Sequence, residues 1–164
     1  MTKLVLITFL FTGFALAQNP SSACGPQNIS FNVTLNKSPG QLPRPEPRKA
    51  MVVFTQDFGP QQFGLGVHPI ARIGVDGTWV GAIKDNSYIY VSLNQGVHHI
   101  CVNVDSKMLE NPVEFAHVRV ESGAVYYLRW RYMQGGDLLL GPVDSDEAKY
   151  QIGIFPLSVP TPKN

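Results

Sequence analysis

Residues 71 to 101, ARIGVDGTWVGAIKDNSYIYVSLNQGVHHIC, carry three turn signals with no helical period between them, and no other stretch constrains the fold as tightly. Asp76-Gly77 stands between two extended runs. Both central positions of a two-residue hairpin turn need positive φ, which this pair tolerates. Lys84-Asp85-Asn86-Ser87 marks a second turn and Asn94-Gln95-Gly96 a third. Between them Ile89, Val91 and Leu93 alternate with Tyr88, Tyr90 and Ser92, the period of a half-buried strand. The pattern predicts a four-stranded meander.

A two-residue turn at Asp76-Gly77 also predicts a register. Val75 then faces Thr78, Gly74 faces Trp79, Ile73 faces Val80 and Ala71 faces Ala82. Ala71, Ile73, Val75, Val80 and Ala82 share one apolar face, expected to be core. Trp79 falls on the other face, opposite Gly74, with Arg72 nearby opposite Gly81. An aromatic laid over a cross-strand glycine strengthens a weak strand position. The alternative is an exposed aromatic platform for a ligand.

Residues 1–17 combine Lys3, an apolar run from Leu4 to Phe14, and Ala15-Leu16-Ala17. A positive start, a short apolar run and a small-x-small site predict a signal peptide, with Gln18 as the mature N-terminus. The run is shorter than the roughly 20 residues that span a bilayer, and no later segment qualifies. The chain is therefore expected to be exported, periplasmic or secreted. Lipid attachment at Cys24 is disfavoured, because Ser21-Ser22-Ala23 precedes it and a polar stretch separates it from the apolar run.

Removing 17 of the 164 residues leaves 147, enough for one domain with a sizeable core. Lys3 is one of 13 basic residues against 12 acidic, so the mature chain is near neutral. That gives no basic footprint for nucleic acid and no polybasic membrane patch. Cys24 and Cys101 allow one intramolecular disulfide, favoured over reactive or metal-binding thiols because clustered spacing is lacking. Closing so long a loop stabilises by roughly 4–5 kcal/mol in the chain-entropy view, an upper figure.

The mature chain divides into an arm (18–49), a β domain (50–155) and an extended tail (156–164). Asn28 to Leu35 alternates as a strand and carries two glycosylation acceptor patterns, relevant only to a host with an endoplasmic reticulum. The alternate prolines from Pro39 to Pro47 predict an extended surface connection. Ala50 to Thr55 is a continuous apolar run of strand length, and Gln56 to Pro69 a long, sticky loop. Val113–Glu121 and Ala124–Tyr132 flank Ser122-Gly123 as a second hairpin, setting Phe115 against Trp130 and making His117 a core histidine. Leu138–Leu140 is a short strand. Asp144 and Glu147 form a capping box opening a helix of about two turns.

No cofactor motif occurs, and His98-His99 points to opposite strand faces, so no metal site is expected. An enzyme would need His68, His98 or His117 beside an acid such as Asp105 or Asp137. Val75-Asp76-Gly77-x-Trp79-Val80-Gly81, Ser87-Tyr88, Gly96-x-His98-x-Ile100 and Gly123-x-Val125-Tyr126-Tyr127, within about Met51 to Ile152, resemble a bacterial family known as domain of unknown function 2846. The skeleton also resembles PEGA and transthyretin-like modules. The resemblance implies an exported or lipid-anchored envelope protein with a β-sandwich, and no catalytic residues.

The expectation is an antiparallel β-sandwich of about eight strands with one short C-terminal helix. It would be a non-enzymatic envelope module binding a glycan, peptide or protein through Trp79, Arg72, Tyr88, Tyr90 and Tyr127. The alternative is a structural protein that pairs through an edge strand. Oligomeric state is left open.

Overall fold

A computed structural model describes residues 23–37, 41–57, 69–105, 113–132 and 138–163. The signal-peptide reading, His68, Asp137 and most of the 56–69 loop lie outside these residues, as does the side chain of Asp105. The fold is all-β: among the described residues there are ten strands in two sheets and one short helix. The strands are β1 (Phe31–Asn36), β2 (Lys49–Gln56), β3 (Ile70–Val75), β4 (Thr78–Lys84) and β5 (Ser87–Asn94). They continue with β6 (Gly96–Asp105), β7 (Val113–Val120), β8 (Val125–Tyr132), β9 (Leu138–Pro142) and β10 (Leu157–Pro162). The helix, α1, is Ser145–Ile154.

The six-stranded sheet runs β1-β10-β5-β2-β8-β9 and the four-stranded sheet β4-β3-β6-β7. The smaller sheet is antiparallel throughout, whereas the larger is mixed: β2 runs parallel to β8 and β10 parallel to β5. The inner faces pack on each other through Val52, Phe54, Ile73, Ile83, Ile100, Val102, Leu128 and Trp130. β2 explains its own sequence. Central in the larger sheet and covered on both faces, it buries every residue from Ala50 to Gln56, and so reads as an unbroken apolar run.

Four sequence expectations are corrected. The 71–101 stretch is not a meander in one sheet. After β4 the chain turns a corner, with Asp85 at φ 56°, and β5 joins the other sheet. Ser87 stabilises that corner: its hydroxyl donates to the Lys84 carbonyl at 2.6 Å and lies 2.7 Å from the Ser158 hydroxyl of β10. Similarly, β7 and β8 are not a hairpin. β7 pairs with β6 and β8 with β2, because the Gly123 amide donates to the Lys49 carbonyl and the Met51 amide to that of Ala124. The turn is thereby captured by the larger sheet. Phe115 does not meet Trp130, and His117 points to solvent on the outer face of the smaller sheet.

The hairpin register holds at Gly74 with Trp79, then slips. A bulge leaves Val80 without a cross-strand partner, so Ile73 meets Gly81 and Ala71 meets Ile83. Ile83 takes the core place expected for Ala82, and Val80 is 37% exposed. Residues 157–162, read as tail, form β10 between β1 and β5. The Lys163 amide donates to the Ser30 carbonyl, so Pro160 and Pro162, in the opposite phase, remove no donor that faces β1.

Candidate functional site

The aromatic residues singled out by sequence separate onto two different surfaces. On the outer face of the smaller sheet, Trp79 is only 9% exposed. Its indole Nε1 donates to the Pro26 carbonyl at 2.8 Å, and the Arg72 guanidinium stacks 4.5 Å from its ring centre. Arg72 also donates to the Ile29 carbonyl at 2.7 Å and to Asn103. The Cys24–Cys101 disulfide, with 5.5 Å between Cα atoms, anchors the same segment. Gly74 is needed because a Cβ there would stand 2.5 Å from the Cys24 carbonyl oxygen. Trp79 and Arg72 thus hold the arm in place. Neither forms a platform.

Tyr88, Tyr90 and Tyr127 lie on the outer face of the larger sheet, where Val53 of β2 is the neighbour of both Tyr90 and Tyr127. Tyr88 is buried with Met51, Val53 and Ile152 of α1, and Tyr90 and Tyr127 are half-buried against that cluster. Burial, and after it the neighbouring Tyr90, pushes the Tyr88 phenol above its ordinary value. The helix is held by Glu147, which pairs with Arg129 of β8 instead of closing a capping box; Asp144 is the N-cap residue without a side-chain bond. No surface brings the five expected residues together.

Asp76 and His98 form a pair at the hairpin tip. His98 Nδ1 lies 2.7 Å from Asp76 Oδ2, and Nε2 lies 2.8 Å from the Asn94 carbonyl. Both partners accept hydrogen bonds, an arrangement that favours the doubly protonated ring. Burial pulls its pKa down, but the Asp76 carboxylate and the Asn94 carbonyl outweigh this and raise it. His98 and then the His99 amide hold the Asp76 carboxyl below its usual range. Both ring nitrogens of His98 are thus engaged within the fold.

The remaining concentration of accessible side chains is on β7. Among the described residues its strand partner is β6 alone. Its inward residues Ala116 and Val118, with Tyr126, Leu128 and Leu140, line a half-open cleft of about 500 Å³ between β7 and β8–β9, rimmed by Asp144 and Ser145. Outward, Phe115 stacks on His99 at 5.2 Å between ring centres and His117 lies 5.0 Å from the same ring. Sequence reasoning missed this site by giving β7 the wrong partner. The signal was present in the alternation of Ala116, Val118 and Val120 with His117, Arg119 and Glu121.

Among the described residues, no group of three or more His, Cys, Asp or Glu side chains is placed to hold a metal. No family model, curated protein or solved structure matches the chain.

Proposed function

We propose that this chain is an exported, non-enzymatic β-sandwich module of the cell envelope that binds an extended segment of a protein partner at β7. The observation that carries the reading is the cleft behind an edge strand with one strand neighbour, its walls apolar and its rim polar. Edge strands offer unpaired amides and carbonyls to an added strand, and pockets beside them accept every second side chain. Burial of Trp79 and Tyr88 withdraws two of the aromatic faces on which a glycan could stack, which favours a peptide. Commitment of both His98 nitrogens argues against hydrolysis. The leader-like residues 1–17, the disulfide, and the resemblance to an envelope family support export. Among the described residues, no helix is long and apolar enough to cross a membrane.

The test is selection of displayed random peptides on the purified protein. Peptides with apolar residues at alternate positions are expected, shifting backbone amide signals of 116–119, 125–128 and 140–145. Ala116→Trp, which fills the cleft, should weaken them at least tenfold. Selected peptides that map elsewhere, or are indifferent to Ala116→Trp, overturn the reading. Fractionation with N-terminal sequencing tests export, with Gln18 expected first; a cytoplasmic chain retaining Met1 overturns it.

A further inference from the structure

We infer that His99 and His117 form a two-histidine site for a divalent transition cation of the zinc, nickel or copper(II) type. Adjacency in sequence made His98-His99 useless as a pair, since the two side chains take opposite faces. The fold supplies a different partner, for His117 of β7 stands directly across from His99 of β6. The backbone fixes how close the two come. The His99 amide donates to Asp76 Oδ1 and its carbonyl accepts from the Asp76 amide, each at 2.9 Å. Both peptide groups therefore face β3, and His99–His117 is a non-hydrogen-bonded cross-strand pair, the kind whose side chains approach most closely.

The ring separation matches the chemistry. Imidazole nitrogen is a preferred ligand for these cations. With metal–nitrogen bonds of about 2.0–2.1 Å and roughly 90–110° between them, the two ring centres fall about 4.5–5.2 Å apart. The observed value is 5.0 Å. Phe115, stacked on His99 with 14° between ring planes, restricts that ring and lowers the cost of fixing it on an ion. His99 is half-buried and His117 exposed, so the pair is open to solvent. Remaining coordination positions fall to water or to a donor from a partner. The cysteines do not compete, because both are in the disulfide. Arg119 on the same strand face opposes a cation, and the Asp76 carboxylate held on the His99 amide favours one.

Titration calorimetry of the untagged, chelator-washed protein with Zn²⁺ and Ni²⁺ should show one ion per chain with micromolar affinity. His99→Ala and His117→Ala should each weaken binding at least tenfold, the double variant little further, and Phe115→Ala only a few-fold. Nuclear magnetic resonance of the unsubstituted protein removes any dependence on how the variants fold. Substoichiometric Cu²⁺ should broaden the His99 and His117 ring signals first. Broadening centred on other residues, unchanged affinity in either histidine variant, or binding too weak to saturate in the micromolar range each overturns the assignment.

Discussion

The outer face of the smaller sheet has two halves that differ in what covers them. Cys101 of β6 is 1% exposed beneath the N-terminal arm, whereas Val97, on the same strand and face, is 54% exposed. On the covered half a glycine, a disulfide, an indole and a guanidinium all serve to hold the arm. On the bare half Val97, Phe115 and His117 are exposed and His99 is half-buried, its ring against those of Phe115 and His117. Large side chains on an exposed face contribute little to stability. The comparison separates residues that hold the arm from residues on which the fold makes little demand.

Five variants sharpen that contrast. Replacing Cys24 and Cys101 with serine should have the largest effect, about 4–5 kcal/mol at most, read as a lower denaturant midpoint and faster proteolysis within residues 23–30. Trp79→Ala should follow at about 3–4 kcal/mol, since it empties the pocket under the arm and strands the Pro26 carbonyl. Gly74→Ala pushes a methyl into the Cys24 backbone and should cost about 1–3 kcal/mol by the same denaturation assay. On the bare half, Phe115→Ala and His117→Ala should each change stability by no more than about 0.5 kcal/mol. A larger loss there would make the bare half structural and break the comparison.

The covered face of the larger sheet offers a pH test with a definite sign. The Tyr88 phenol is raised in the folded state, chiefly by burial, so folding favours its neutral form. Its contribution is complete below about pH 10, the unfolded value, and is lost as pH rises from there through the raised folded value. Spectrophotometric titration should show a late-ionising phenol that is absent in Tyr88→Phe. Coincident ionisation of all six tyrosines in the folded protein would remove the claim.

What could be read in the sequence was local. Asp76-Gly77 gave its hairpin, with Asp76 at φ 50° and Gly77 at 76°, and the cysteine pair joined as expected. The all-β class with one short helix followed from periodicity and turn residues. Partner choice between strands was not legible, because alternation states which side of a strand is apolar and not which strand lies beside it. That ambiguity misplaced β5, β7 and β8, and through β7 it sent His117 inward. The bulge at Val80 was hidden for a related reason: Val80 and Ala82 are apolar enough to suit either face. Glu147 looked like a cap, yet Arg129, eighteen residues earlier, bonds it first. The β7 surface depended on all of these long-range choices and so was the least legible part.

The first and last of the described strands are neighbours, and among the described residues β1 has no strand beside it except β10. An emerging polypeptide therefore cannot finish its larger sheet before residues 157–162 are made. Contacts spanning nearly the full length also form slowly, because a long loop must close before they repay its entropy. Until that final segment docks, β1 has no place in the sheet and the β5 edge it covers stays open.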